Sequence, residues 1–155
     1  MQKITPFLWF DKDAMKVAKF YASVFKDSKI INSTIMSDTP SGTVEIVNIE
    51  LFGQVFTLMS AGPMFTFTEA ISFVVDCKNQ EELDYYWEKL TADGGQESMC
   101  GWLKDKYGLS WQIIPKALGE MMASPDKEKS GRATQAMLKM KKIVVTDLQK
   151  AFDGK

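Results

Sequence analysis

The chain has 155 residues, of which 45% are hydrophobic and 25% charged, and its formal net charge is −1. This length and composition predict one ordinary globular domain, or two small halves that share a core, and they exclude intrinsic disorder. The balanced charge provides no global field to recruit nucleic acid or anionic lipid, so we expect neither as a partner. The sequence contains no histidine, which is the commonest general base near neutral pH and a frequent ligand of transition metals.

The sequence also indicates the compartment. Met1-Gln2-Lys3 leads directly into strand-like sequence without the apolar core of a signal peptide. No apolar run approaches the roughly 20 residues that cross a bilayer, so we expect no membrane partner. Two cysteines, Cys77 and Cys100, are too few for a disulfide framework and lack the spacing of metal ligands. We therefore predict reduced thiols and a cytoplasmic location.

The first half of the chain predicts one strand, one helix and three more strands. Ile4–Phe10 is a short apolar run typical of a buried strand, and Asp11 and Asp13 are candidate N-caps for the helix that follows. Apolar residues at helical spacing between Ala14 and Phe25 indicate one face on a core. Turn residues separate the three later strands, which we place near Lys29–Met36, Val44–Leu51 and Val55–Ser60.

The same order of elements recurs in the second half. We predict a strand at Ala70–Cys77, and Asn79 with Glu82 three residues later resembles a capping box. Apolar positions of the two helices align at one constant offset, and Thr57 near the end of the first half aligns with Gln112. This alignment predicts a degenerate tandem repeat, and the alternative is a chance similarity of two apolar helices. The aligned helix positions are Val17, Phe20, Tyr21 and Val24 with Leu83, Tyr86, Trp87 and Leu90.

The character of the sequence changes after Pro115. We predict a short helix at Lys116–Ala123, a helix rich in Met and Lys at Lys127–Lys142, and a last helical turn capped by Thr146 or Asp147. The long helix is both basic and apolar, and one interpretation of this character is a calmodulin-like or membrane-surface role. Packing on the domain or on a second subunit is favoured, because the charges of this helix are few.

Several motifs resemble the PhnB-like branch of the vicinal-oxygen-chelate superfamily, which includes glyoxalase I, bleomycin-resistance proteins, fosfomycin-resistance enzymes and extradiol dioxygenases. The resemblance implies an α+β fold of tandem βαβββ modules that form curved mixed sheets, at residues 1–62 and 63–115, with a C-terminal helical tail at 116–155. It also implies one structural domain overall and a homodimer, since open sheet edges need cover. The motifs are Thr5-Pro6-Phe7-Leu8-Trp9-Phe10, Phe67-Thr68-Glu69-Ala70-Ile71-Ser72, the segment from Cys100 to Gln112, and the tail from Gln135 to Ile143.

The resemblance implies a position for each ligand of a divalent metal, on the first and last strands of each module. These positions hold Thr5, Thr57, Ala70 or Ser72, and Gln112. Neutral oxygens do not offset the dehydration of Zn²⁺, Fe²⁺ or Ni²⁺, so we expect no metal and no other cofactor. Proteins of this branch are often named as methyltransferases. The sequence does not support that activity, because no strand leads into a Gly-rich turn that would bind a nucleoside cofactor.

The curved sheets are instead expected to enclose a mostly apolar cavity with a few polar groups, as small-molecule sites do. Strand alternation places Met59 on the same face as Thr57 and Ile114 on the same face as Gln112, with Trp111 on the opposite face. The alternative is that the aromatic side chains simply fill the cores of the two modules. The predicted ligand-binding residues are Trp9, Thr57, Met59, Ser72, Trp102 and Gln112.

Three other residues carry acidic or thiol groups, and of these Glu69 is the only candidate for a catalytic base. Glu69 follows two phenylalanines at the entry of a strand, so burial is expected to raise its pKa and suit it to proton transfer. The alternative for Glu69 is a carboxylate bonded to backbone amides or to a basic partner. Cys100 lacks a histidine to activate it, and we interpret it as an inert thiol. Asp105, flanked by two lysines, is expected in a solvated hairpin turn.

Two functions from different classes remain. The first is a metal-independent module that binds a small, partly apolar molecule without turning it over. The second is a metal-independent enzyme in which Glu69, or a water held by Gln112, performs acid-base chemistry. The sequence favours the first, because it contains one plausible acid and no assembled pair of nucleophile and base. A dimeric scaffold with a filled core is a third possibility.

Overall fold

The structure of the chain is a computed structural model that describes residues 2–155. The chain divides into two compact units, residues 1–66 and residues 67–155. The first unit has the order βαβββ, and its elements are β1 (Phe7–Phe10), α1 (Ala14–Val24), β2 (Ser28–Thr39), β3 (Gly42–Leu51) and β4 (Gln54–Ser60).

The strands of the first unit form one mixed sheet in the order β1-β4-β3-β2, in which β1 runs parallel to β4 and the other pairs are antiparallel. Because side chains alternate along a strand, one face of this sheet takes the apolar residues that pack under α1. Tyr21 of α1 and Leu58 of β4 are almost fully buried in this core. The other buried apolar residues of the sheet are Leu8, Phe10, Val44, Val47, Ile49, Leu51 and Phe56.

Helix α1 begins differently from the sequence prediction. Asp13 is the N-cap residue, but it has a left-handed backbone with φ 58 and its side chain makes no capping hydrogen bond. The carboxylate of Glu45, on β3, instead accepts a hydrogen bond of 3.0 Å from the Met15 backbone N–H. The expectation that Asp11 or Asp13 caps this helix through its side chain is therefore wrong, because a residue distant in the sequence satisfies the exposed amide.

The second unit repeats the βαβββ order with shorter middle strands and then adds three helices. Its strands form a mixed sheet in the order β5-β8-β7-β6, with β5 parallel to β8. Asn79 caps α2 as predicted, since its side chain accepts a hydrogen bond from the Glu82 N–H at 3.0 Å. The elements are β5 (Ser72–Cys77), α2 (Gln80–Thr91), β6 (Gln96–Glu97), β7 (Trp102–Lys104), β8 (Ser110–Pro115), α3 (Lys116–Met122), α4 (Lys127–Met137) and α5 (Val145–Asp153).

The C-terminal segment is bonded to the rest of the second unit. The Cys100 N–H donates to the Met140 carbonyl at 2.7 Å, and the Gly101 N–H donates to the Lys141 carbonyl at 2.8 Å. Gly101 has φ +82, and a Cβ at this position would lie 2.9 Å from the Ile113 carbonyl oxygen, so the turn requires glycine. The predicted helix to Lys142 is wrong in length, since α4 ends at Met137 and the residues after it make these contacts.

The side chain of Gln80 joins the start of α2 to the start of α5. Its Nε2 donates to the Ile143 carbonyl at 3.1 Å, and its Oε1 accepts from the Val145 N–H at 2.8 Å. The expectation that Thr146 or Asp147 caps the last helix is wrong, because α5 has no cap from its own sequence and Gln80 takes that role. Two strands also begin later than predicted, β1 at Phe7 and β5 at Ser72.

The α+β fold of two βαβββ modules with a helical extension is confirmed. Among the described residues, no helix is long and apolar enough to cross a membrane. The predicted boundaries after residues 62 and 115 stay a prediction.

Candidate functional site on the open sheet faces

Each sheet has a second face, opposite its helix, which we call the open face. In the first unit this face carries Trp9, Thr57 and Met59 on β1 and β4, together with Asn48 on β3. The Thr57 hydroxyl donates to Asn48 Oδ1 at 2.7 Å, and Asn48 Nδ2 donates to Asn32 Oδ1 at 2.8 Å. Polar side chains from three neighbouring strands therefore form a continuous hydrogen-bonded row.

Trp9 is held in place on the open face by two contacts. Its indole Nε1 donates to the Gly62 carbonyl at 2.8 Å, and its ring meets Phe65 edge-on at 5.0 Å between centroids. These contacts fix the orientation of the half-buried indole, so the side chain presents an apolar surface without an unsatisfied N–H. Met59, predicted on the same face as Thr57, lies opposite Ile46 of β3 in the register of the sheet.

The open face of the second unit brings three predicted residues together. Gln112 of β8 donates through Nε2 to the hydroxyl of Ser72 on β5 at 2.9 Å. In the register of the sheet Gln112 lies between Val74 of β5 and Trp102 of β7. Val74 is 54% exposed. A polar amide thus lies between two apolar side chains, Val74 and Trp102, on an accessible face of the sheet.

Thr57 and Gln112 occupy equivalent places in the two sheets, as the sequence repeat predicts. Each lies on the last strand of its module and pairs in parallel register with the first strand, at Phe7 and Val74 respectively. Trp111, next to Gln112, is 3% exposed and points to the helix side. The predicted alternation of side chains is confirmed along this strand.

The positions at which the resemblance implies metal ligands carry neutral side chains. Thr57 and Gln112 each donate a hydrogen bond to another side chain. The Ala70 side chain has no atom that could bind a metal, and Thr5 is an exposed residue that precedes β1. Within residues 2–155, no group of three His, Cys, Asp or Glu side chains could hold a metal ion. These residues do not fit a divalent transition metal.

Glu69 forms an ion pair with Lys104, with 2.5 Å between Oε1 and Nζ, and its side chain is 65% exposed. The hydrogen bond from Lys104 is the main cause that lowers the pKa of the Glu69 carboxyl, and burial opposes it only weakly. The expectation of a raised pKa is wrong, because the carboxylate is exposed and has a cationic partner. The alternative interpretation, a carboxylate with a basic partner, is confirmed.

Asp105 is not in a solvated turn. Its side chain is buried and accepts hydrogen bonds from the backbone amides of Tyr107 and Leu109, at 2.8 and 3.2 Å, and from Trp111 Nε1 at 2.9 Å. The expectation of a solvated side chain is wrong. The local pattern of charge predicts the turn correctly, but it does not show that the Asp105 side chain points inward. Asp105 is a structural residue beneath the site.

Both thiols are free, as predicted. Burial raises the pKa of the Cys77 thiol to about 12, with smaller contributions from Glu82 and Asp76. Cys100 is half-buried and has φ 61 in the turn that precedes Gly101. Asn32 and Asn48, which sequence reasoning missed, join the site only through cross-strand register, which no local pattern contains.

Two βαβββ modules in tandem are the architecture of the glyoxalase/bleomycin-resistance fold, which is the fold of the vicinal-oxygen-chelate superfamily. A family model described as 3-demethylubiquinone-9 3-methyltransferase matches residues 2–114. The chain therefore belongs to this family, which is the PhnB-like branch of the superfamily.

Solved structures agree with this assignment. A PhnB protein from Bacillus cereus, described by the same methyltransferase name, is 34% identical, and the match covers 74% of this chain and 99% of that one with a TM-score of 0.66. The fosfomycin resistance protein FosX from Listeria monocytogenes is 18% identical, with coverage of 79% and 98% and a TM-score of 0.59. Another structure of FosX, complexed with Mn(II) and sulfate, has 18% identity, coverage of 72% and 89%, and a TM-score of 0.50. At these identities FosX shows the fold alone. No curated protein matches this chain.

Proposed function

We propose that this chain binds a small, partly apolar molecule on the open faces of its curved sheets, without a resident transition metal. The observation that carries this proposal is the position of Gln112, whose amide lies between Val74 and Trp102 and uses one N–H to bind Ser72. A primary amide has two donors and an acceptor oxygen. The remaining groups are available to orient a polar ligand, while the apolar neighbours supply contact area.

Metal independence is supported by the chemistry of the donor set. In this chain a threonine and a glutamine occupy the aligned places at which the superfamily holds metal ligands, and each donates an N–H or O–H to a neighbour. The oxygen atoms that remain on these two side chains are neutral and therefore weak ligands, which do not offset the dehydration of a divalent transition metal. The FosX structure that holds Mn(II) is therefore not a guide to the chemistry of this site.

The alternative function, a metal-independent enzyme, rests on a water held by Gln112 and no longer on Glu69. The ion pair with Lys104 and the lowered pKa make the Glu69 carboxylate a weak base. Methyl transfer is no part of the proposal. The connections from β1 to α1 and from β5 to α2 contain no glycine to bring the backbone close to a nucleoside cofactor.

Thermal-shift screening of quinones, phenols and glycopeptide-like antibiotics tests the proposal. We expect at least one saturable hit whose binding is weakened by about 1 to 3 kcal/mol in Gln112→Leu, the typical cost of an unsatisfied buried partner. Gln54→Leu is the matched control, because Gln54 is exposed at the start of β4 and the open-face row does not include it. Equal shifts for wild type and Gln112→Leu with every hit would exclude Gln112 from the site.

We also propose a cytoplasmic location, which the two free thiols support, since oxidising compartments favour disulfides. Fractionation of the source cells followed by immunodetection tests it. Recovery of the protein outside the cytosolic fraction would contradict it.

A further inference from the structure

A cavity lies at one end of the open face of the second unit, beside the β6–β7 hairpin. Its volume is about 130 Å³, which leaves room for a small organic group. Gln112 and Ser72 do not line it. The lining residues are Glu69, Gln96, Glu97, Ser98, Trp102, Leu103, Lys104 and Ser110.

Ser110 contributes a buried hydroxyl to this cavity. The residue is 1% exposed, and its Oγ has no hydrogen-bond partner within the described part of the chain. In the sheet Ser110 lies between Ser72 and Lys104. Buried hydroxyls without a partner are rare and lower the stability of the folded state, so this one calls for an explanation. A ligand that donates a hydrogen bond to Ser110 Oγ provides it.

The charges around the cavity indicate which kind of donor fits. Glu69 and Lys104 form an ion pair and neutralise each other. Glu97 also faces the cavity, and its Oε1 accepts a hydrogen bond at 2.9 Å from Trp87 Nε1, an uncharged donor. Lys141 is its nearest ion-pair partner, at 3.9 Å and with both side chains well exposed, so solvent screens that pair. Among the residues that line the cavity, two carboxylates face one ammonium group, and this net charge of −1 favours cations over anions.

We infer that this cavity binds a small organic ammonium group, with Ser110 Oγ as hydrogen-bond acceptor, Glu97 as the complementary charge and Trp102 as an aromatic wall. An ammonium group carries N–H donors and a positive charge, and it also interacts favourably with an indole ring. The inference does not depend on the proposed function of Gln112, because the two sites share only Trp102. Different variants test them.

Titration with benzylamine, benzyl alcohol and benzoate, followed by NMR, tests this inference, because the three probes share a ring and differ in charge. We expect saturable chemical-shift changes at the amides from Gln96 to Lys104 and at the Trp102 indole N–H. The affinity should decrease in the order benzylamine, benzyl alcohol, benzoate. Ser110→Ala should weaken benzylamine binding by about tenfold or more, as expected for a hydrogen bond to a charged group. Glu97→Gln should remove the preference for the amine and keep the acceptor for Trp87.

The thermal stability of Ser110→Ala separates a ligand-binding role from a structural one. Because the hydroxyl has no partner in the free protein, its removal should leave the Tm unchanged or raise it while binding falls. A lower Tm would show that Ser110 is bonded in solution, for example to an ordered water, and would overturn the inference. Three other results would also overturn the inference. They are benzoate binding with the same affinity as benzylamine, a benzylamine affinity that Ser110→Ala leaves unchanged, and no saturable binding of any probe.

Discussion

Trp111 donates a hydrogen bond from its indole Nε1 to the Asp105 carboxylate at 2.9 Å, six residues earlier in the chain. The other carboxylate oxygen accepts backbone hydrogen bonds from Tyr107 and Leu109. One buried side chain therefore closes the β7–β8 turn from inside and fixes Trp111 on the helix side. Since side chains alternate, this contact also directs Gln112 toward the open face.

Asp105→Ala is expected to lower the free energy of unfolding by about 2 to 4 kcal/mol, because it leaves the buried indole N–H and two backbone amides without their acceptor. Urea denaturation followed by fluorescence measures this change. Asp147→Ala is the control, since Asp147 forms an exposed ion pair with Lys150 at 3.3 Å and should change stability by less than about 1 kcal/mol. Equal effects of the two substitutions would contradict the structural role of Asp105.

The stability of the chain should fall at high pH. Burial raises the pKa of Cys77 from 9.0 to about 12 and that of Tyr86 from 10.0 to about 12. As the pH rises above 9 the unfolded chain loses these protons before the folded chain does. The stabilisation is therefore complete below the unfolded pKa values and is lost as the pH approaches 12.

Urea denaturation at several pH values between 8 and 11 measures this loss. Cys77→Ala should reduce the slope of stability against pH, whatever its effect on stability at pH 8, and Cys100→Ala is the matched control. A slope unchanged by Cys77→Ala would show that the thiol does not contribute. Native protein should also react with iodoacetamide more slowly at Cys77 than at Cys100, because Cys77 is buried and its thiolate form is scarce.

A third expectation concerns metal content. Protein purified without an affinity tag should contain no stoichiometric Zn, Ni, Fe or Mn by elemental analysis, because the aligned positions carry Thr57 and Gln112. Added Mn²⁺ or Zn²⁺ should leave the Tm unchanged, since a ligand stabilises a protein only when it binds the folded state. One equivalent of any of these metals, retained after dialysis, would overturn the proposed metal independence.

The features that sequence predicts well are those that depend on local periodicity. The core faces of α1 and α2 follow from helical spacing, and both Tyr21 and Trp87 are buried as the aligned repeat predicts. The Asn79 cap is also local, because its acceptor and donor lie three residues apart. Such contacts are fixed by the chain geometry of a single element.

The features that sequence missed depend on residues distant in the chain. Glu45 accepts a hydrogen bond from a backbone N–H at the start of α1, and Gln80 does the same at the start of α5. Neither helix therefore uses the cap that its own sequence offers. The ion pair between Glu69 and Lys104 changes the pKa in the opposite direction to that expected from neighbouring apolar residues. In each case a side chain from another element determines the environment.

The last prediction is that the protein forms a homodimer. Strand β2 lies at the edge of its sheet, and within the described residues it pairs only with β3. It exposes three large apolar side chains, Ile31 at 45%, Ile35 at 67% and Met36 at 46%. A long edge strand with exposed apolar residues is a template for pairing with another chain, and soluble proteins cover such edges. A second copy of the chain is the simplest cover, since most soluble oligomers are symmetric homodimers.

Light scattering at micromolar concentration should give about twice the chain mass of 17.5 kDa. Ile35→Lys should shift the protein toward monomer, because a lysine on an edge strand opposes pairing. Ile4→Lys is the matched control, since Ile4 is 85% exposed but precedes β1 and lies outside β2. A wild-type monomer at these concentrations would contradict the prediction. A dimer that Ile35→Lys leaves intact would show that the chains associate through another surface than β2.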